Sequence, residues 1–430
     1  MALQFAHGAV QWLAADAATT TYAVTGLGFR PKALRFYHVG IQSASDAASQ
    51  ALHWRAAVGF AVSASSRACM GSQSQDAAGT QVCTTGYRTD CVAMTLTSTP
   101  AMDGALDLQS IDADGFTLVV DDQAPASITV MWEAWGGSDF VGATIGEIAE
   151  PAATGSVAYD AGLKPDVVLF AGVQGTAAAN TATRNDAALM VGASSGPATA
   201  QNIVAWANDD DASTTSDTDR YARAGECLSQ ATVGGGNPSS RAVLTSLDER
   251  GFTLNWIARA TSNRRYIYLA MQGGQWAVGS TTIAGNSGSA TATVVTTTRG
   301  GVAFRPVGLS LIGCSLAAST AGTSSTEAKL SLGSASSTSS RQAVGLWSEN
   351  GNATAAEVDL VVEYDSCLAV PSNAGAIGET LDINAINADG FQLIVDTAGG
   401  VASEWVGYVA CGSGRRTDAS LENYRSGQIY

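Results

Sequence analysis

One phrase is written three times in this chain, as SIDADGFTL at 110–118, SLDERGFTL at 246–254 and AINADGFQL at 385–393. Its glycines, Gly115, Gly251 and Gly390, stand 136 and 139 residues apart. Three further landmarks keep the same step: a proline leading an apolar run (Pro31, Pro165, Pro306), a glycine in mid-unit (Gly59, Gly192, Gly333) and a cysteine (Cys91, Cys227, Cys367). Four landmarks recurring in one order at so long a period imply a tandem array in which one fold is used three times.

The repeat divides the chain into units at 1–150, 151–288 and 289–414, followed by a C-terminal tail at 415–430. Units of that size bury roughly two thirds of their unfolded surface, so each can carry its own core. After the shared glycine, Phe116, Leu118 and Val120 alternate with Thr117 and Val119, and Phe252, Leu254, Trp256 and Phe391, Leu393, Val395 repeat the pattern. Period two with aromatic and branched residues predicts a strand with one face buried. The glycine closes a polar turn, and a positive φ is the expected reason that glycine alone is common to all three copies. Pro31, Pro165 and Pro306 suit strand starts, where a missing N–H is no loss.

Further strands are expected at 128–135, 266–271, 341–347 and 404–411, with Trp206 and Trp347 as matching core anchors. Charged residues make up only 14% of the chain, too few for long solvated helices, and no amphipathic helix of three turns is found. The predicted fold is all-β: three tandem antiparallel β-sandwich domains of one fold, with the jelly roll as one version. The stretches 142–155 and 279–292, rich in small residues, read as connectors, although Thr144-Ile145 and Thr282-Ile283 can still pair with a sheet.

A net charge of −16 with three lysines (Lys32, Lys164, Lys329) and no basic cluster argues against nucleic acid as a partner. No apolar run reaches membrane-spanning length, and the start carries no basic region leading into an apolar stretch, so neither a membrane partner nor a secretory signal is expected. Seven cysteines are an odd number, and Cys227 is alone in its unit, so the shared position reads as a buried thiol rather than half of a bridge. No CxxC and no cysteine–histidine spacing suggests a metal.

The search for chemistry yields weak candidates. The three histidines, His7, His38 and His53, all lie in the first unit, and His38 corresponds to Gly172 and Gly313, so the repeated fold does not need it. Glu133, beside Trp132 and Trp135, is the carboxylate best placed for a glycosidase, yet Leu269 and Tyr408 hold the same offset from the shared glycine in the other units. The acidic run Asp209-Asp210-Asp211, with Asp217 and Asp219, lacks the central glycine and terminal glutamate of a calcium loop and reads as a solvated acidic loop. Gly234-Gly235-Gly236 precedes no Lys-Ser or Lys-Thr pair, so it is no phosphate cradle. The nine tryptophans are core residues or, at loop tips, platforms for glycans.

The paired signatures, Phe29-Arg30-Pro31-Lys32-Ala33-Leu34 near the start of the first unit and Asp112-Ala113-Asp114-Gly115-Phe116 near its end, resemble repeats of structural proteins of tailed bacteriophages and prophages. The second unit departs at Leu163 and Asp166, the third at Val307-Gly308 and Gln392. The resemblance implies a non-enzymatic virion component, tail-associated or decorating the head. Such a protein would be made in a bacterial cytoplasm, need no cofactor, and have other virion proteins and copies of itself as partners. The alternatives are a carbohydrate-binding array that attaches to a host surface glycan and, more weakly, a glycan hydrolase. Exposed aromatic residues at matching loop tips would mark the first, and two carboxylates facing each other in a cleft the second.

Overall fold

The computed structural model describes residues 2–414 except 77–79, 176–177, 185, 213–214, 235–237, 261–263, 286, 318–320, 353–356, 373–374 and 400–401. The expected tail at 415–430 and most of the Gly234–236 run therefore lie outside the described residues. Every regular element among them is a strand, and the strands fall into three sets of eleven. The first set is β1 (Leu3–Trp12), β2 (Thr21–Thr25), β3 (Pro31–His38), β4 (Ala48–Ala51), β5 (Trp54–Ser63), β6 (Ser66–Ser74), β7 (Cys83–Arg88), β8 (Ala93–Leu96), β9 (Met102–Asp112), β10 (Gly115–Asp122) and β11 (Ile128–Gly137). The second is β12 (Phe140–Ala149), β13 (Gly155–Asp160), β14 (Val167–Val173), β15 (Thr181–Arg184), β16 (Ala187–Ser194), β17 (Gln201–Asn208), β18 (Thr218–Ala224), β19 (Leu228–Gln230), β20 (Ser240–Asp248), β21 (Gly251–Ala258) and β22 (Arg265–Gly273). The third is β23 (Gln275–Ile283), β24 (Thr291–Val295), β25 (Pro306–Ala317), β26 (Ser325–Thr326), β27 (Ala328–Ala335), β28 (Arg341–Ser348), β29 (Val358–Glu363), β30 (Leu368–Pro371), β31 (Ile377–Asn387), β32 (Gly390–Thr397) and β33 (Glu404–Gly412).

Each set builds an antiparallel sandwich from a seven-stranded and a four-stranded sheet. In the first unit the order is β1-β11-β3-β5-β6-β7-β15 over β2-β10-β9-β8, and the other two follow it strand for strand. Strands β5 to β7 and β8 to β10 run as consecutive meanders within one sheet each, so this sandwich is not the jelly roll weighed as one version. Strand membership also moves the borders: β12 pairs with β22 and β23 with β33, so the units change at 138–139 and at 274, upstream of 150 and 288. The supposed connectors are strands whose small residues make room for a partner. A Cβ on Gly8, Gly146 or Gly279 would overlap the ring of Trp132, Tyr268 or Tyr408 on the last strand of the same unit.

The landmark phenylalanine anchors each sandwich. Phe116 stands edge-on to Phe36 and Trp132 with centroids 5.7 and 5.3 Å away, Phe252 likewise to Phe170 and Tyr268 at 5.7 and 5.0 Å, and Phe391 to Tyr408 at 5.5 Å. Edge-to-face pairs of this kind add roughly 0.5–1.5 kcal/mol each beyond area burial. Before each phenylalanine, a Cβ on Gly115, Gly251 or Gly390 would overlap the carbonyl oxygen of Val24, Tyr159 or Val294 on the neighbouring strand. That close approach, and not the expected positive φ, is what the three glycines share, since only Gly115 has φ above zero. Pro31 and Pro306 open β3 and β25, and Pro165 stands two residues before β14.

Two expected equivalences shift by one residue. The Cβ space of Gly59, Gly192 and Gly333 is taken by the carbonyls of Val92, Cys227 and Cys367, and those three residues donate their N–H to Leu106, Ala242 and Leu381 on matching strands. Val92, not Cys91, is thus the structural counterpart of Cys227 and Cys367. All seven cysteines are free and buried. Likewise Gly192 pairs with Ile203 and Gly333 with Ala343, which makes Leu346, not Trp347, the counterpart of Trp206.

The seven-stranded sheets face one another around a common axis. Their inward faces merge into one large core to which all three units contribute, including Trp54, Trp135, Trp206, Trp276, Leu269 and Leu346. Trp54 meets Trp206 at 5.7 Å and Trp135 meets Trp276 at 6.4 Å, both across unit borders. Five smaller cores lie within the individual sandwiches, two in the first unit, one in the second and two in the third.

Candidate functional site

The fourth strand of each unit has little to recommend it as a strand: ASQA, TATR and ST. None of the three joins its own unit. Strand β15 of the second unit pairs with β7 of the first, β26 of the third with β18 of the second, and β4 of the first with β29 of the third. The exchange returns to its starting point, so the three units form a closed ring stitched by three seams. Backbone hydrogen bonds make these seams, which is why side chains there can be small and polar.

The three strands that precede the seams converge on the axis. Ser74, Asn208 and Ser348 end β6, β17 and β28 at matching positions, all three fully buried. Asn208 Nδ2 donates to Ser74 Oγ at 3.0 Å and to Ser348 Oγ at 2.9 Å. Beyond them the loops interlace. Asp211 N donates to Gln81 O and Gln81 N to Ala212 O, while Gly351 N donates to Ser216 O and Ser216 N to Asn352 O. The acidic run is only partly solvated: Asp211 is exposed, whereas Asp210 Oδ1 accepts from Cys83 N at 2.9 Å, and burial together with Asp186 and Asp217 pushes the Asp209 carboxyl up to about 6.

Deeper along the axis lies a buried ion pair. Arg35 Nη1 approaches Glu133 Oε2 at 3.4 Å, Ser310 of the third unit donates to the same oxygen at 2.8 Å, and the guanidinium lies 4.9 Å over the Tyr37 ring. Burial raises the Glu133 carboxyl, with Arg35 and the Ser310 hydroxyl opposing it. Glu133 is 0% exposed, so the carboxylate best placed in sequence for a glycosidase sits inside the ring. Pairing of Trp132, Tyr268 and Tyr408 with Phe36, Phe170 and Leu311 makes Leu269 and Val409 its true counterparts, one residue from the Tyr408 that sequence offset selects. The enclosed cavity beside Arg35, lined also by Asn202, Ser310 and Tyr408, measures about 10 Å³, room for roughly one water.

Each of the three histidines is hydrogen-bonded within the fold. His38 is fully buried, bonded through Nε2 to Met94 O at 3.1 Å, and burial lowers it to about 4. His7 Nε2 reaches Ser340 O and Ser340 Oγ of the third unit at 3.2 and 3.1 Å. His53 Nδ1 accepts from Asp76 N at 2.9 Å. All nine tryptophans are buried, the most exposed being Trp132 at 6%.

Among the described residues, one trio of carboxylates converges: oxygens of Asp46, Glu363 and Asp365 lie within 4.8 Å of one another. It joins the first unit to the third beside the β4 seam, and no spacing in the sequence relates Asp46 to the other two. Three oxygens fall short of the six to eight that calcium takes. Two wider grooves elsewhere, about 350 Å³ beside Arg30, Lys32 and Ile111 and about 450 Å³ beside Arg223, Ser280 and Trp405, are lined by no carboxylate.

No protein-family model matches the chain, and no curated protein matches it either. Among solved structures it has a likeness to "OmpT (in-vitro folded), an outer membrane protein of Vibrio cholerae", at 9% identity over 95% of this chain and 97% of that one. The TM-score of 0.11 is too low for that likeness to carry an argument.

Proposed function

We propose that the chain is a non-enzymatic structural component of a bacteriophage virion, tail-associated or decorating the head, that works through contacts with other virion proteins. The observation that carries this reading is the ring: exchanged strands close three sandwiches on one another, and every tryptophan is held in a core. Stacking on a glycan requires an exposed aromatic face, which none of the nine offers. A closed ring of three near-equal units presents almost the same surface three times around one axis. It therefore fits a position of threefold symmetry, or holds a neighbour by three weak contacts acting together.

The test is incorporation. The tagged chain, supplied during infection or prophage induction, is expected to co-sediment with purified particles at a fixed copy number and to appear in particle images as a three-lobed density. Absence from particles combined with binding on a glycan array would replace this reading with the carbohydrate-binding one. Turnover of a glycan by the purified chain would replace it with the hydrolase.

A further inference from the structure

The three seams match in backbone but not in charge. Pairing of Cys69 with Arg88, Ile203 with Arg223 and Ala343 with Glu363 places these last residues at one equivalent position. In the first unit Arg88 makes a two-pronged ion pair with Asp90 at 2.7 and 2.9 Å, and in the second Arg223 pairs with Glu226 at 3.3 Å. In the third unit the arginine is replaced by Glu363, which is 3% exposed. Its neighbour two residues on is again an acid, Asp365, and Asp46 of the first unit completes the trio. Asp46 is itself the clasp of the seam, since its Oδ1 accepts from Tyr364 N at 2.7 Å two residues before β4 begins. At the far end of the same seam Asp359, paired in register with Ala51, is 1% exposed and lies near Glu357 and Asp76.

We propose that the β4–β29 seam is a proton-operated latch, which loosens further as pH rises than the other two seams do. Protonated Glu363 can share its hydrogen with a neighbouring carboxylate. Ionised, it sets like charges against Asp46 and Asp365, with Asp396 adding to them. Arg341 on the neighbouring β28 does not relieve this, because its guanidinium turns to Asp382 and to the Asp365 carbonyl. At the other end His53 accepts from the Asp76 backbone, and Ser49 Oγ donates to Gly375 O across the seam.

Burial first, and the neighbouring acids second, push Glu363 up to about 8 and Asp359 to about 6. Each carboxyl holds its proton more tightly in the closed seam than in solvent. The seam is therefore firmest below the ordinary carboxylate range and weakens as pH climbs from that range, to about 6 for Asp359 and to about 8 for Glu363.

Hydrogen exchange on the full chain, normalised for the intrinsic pH dependence of amide exchange, reads the latch directly. Protection of a peptide spanning 42–52 is expected to fall about tenfold or more between roughly pH 5 and pH 8.5, while a peptide covering β26 changes by no more than about twofold and one covering β15, beside Asp186 and Asp209, falls by clearly less than β4. Glu363→Gln is expected to flatten the slope for β4. Asp46→Asn, on an exposed loop, should reduce it and serves where the first variant does not fold. Constant protection of β4, an equal fall at all three seams, or an unchanged slope in both variants would overturn the proposal.

Discussion

The two sheets of each sandwich obey different rules although they share a core. In the four-stranded outer sheets one face meets water, and burial alternates: β2 and β13 switch residue by residue between half-buried and exposed, and β10 between buried and half-buried. In the middle of the seven-stranded inner sheets both faces are covered, one by the outer sheet and one by the two neighbouring units, while edge strands such as β12 stay mostly half-buried or exposed. Strands β14, β16 and β17 are buried at every position. Continuous burial is usually the mark of parallel strands under helices. Here antiparallel strands acquire it because three sandwiches share an axis, so oligomer-like packing has been written into a single chain.

That contrast can be broken most sharply at the axis. Glu133→Leu leaves Arg35 buried without its counter-charge and should cost about 3–5 kcal/mol, read from urea unfolding. Adding Arg35→Leu copies the second unit, which has Leu169 and Leu269 in those places, and is expected to recover most of the loss. A single substitution that is nearly silent would mean that the inner faces are not tightly packed.

Between the two layers of the third unit, Glu379 of outer β31 accepts from Ser315 of inner β25 at 2.7 Å. Burial pushes its carboxyl up to about 7, against the Ser315 hydrogen bond and the charges of Lys329 and Arg220. The folded state therefore holds this proton more tightly than the unfolded chain does. Its contribution is intact below the ordinary glutamate range and declines as pH rises to about 7, by up to about 3 kcal/mol. Unfolding midpoints at about pH 4.5 and pH 7.5 should differ less in Glu379→Gln than in the parent, and an identical difference would remove Glu379 from the account.

The smallest effect belongs to the water-facing side of the outer sheet. Ala23 is exposed on edge strand β2, and Ala23→Thr should move stability by no more than about 0.5 kcal/mol. A change several times larger would show that β2 is covered in solution.

Legibility in the sequence follows the same division. The outer strand after the shared glycine announces itself by period two, because one face is wet. Prolines mark the starts of two inner strands, but the common axis leaves no local trace, since Leu169 or Val204 would look the same inside an isolated sandwich. The exchanged strands were illegible for another reason. Their pairing uses backbone groups, and a segment such as ASQA or ST has no preference that survives being read alone. In sequence Glu133 is a carboxylate between tryptophans, and only its partners in the core, Arg35 and Ser310, explain its presence. The trio at Asp46 could not be found by offset, because its members come from opposite ends of the chain. A usable signal did exist at position 363, where an acid stands in the place that the other two repeats give to arginine.

Asn208 between two serines has a meaning that the sandwiches alone do not convey. Three separate polypeptides coming together about an axis would have to put the same residue there in triplicate, and any mutation would strike all of them at once. Covalent fusion lifts that constraint. One amide now addresses two different hydroxyls, and each repeat can drift, specialise or lose a contact without dragging its siblings along.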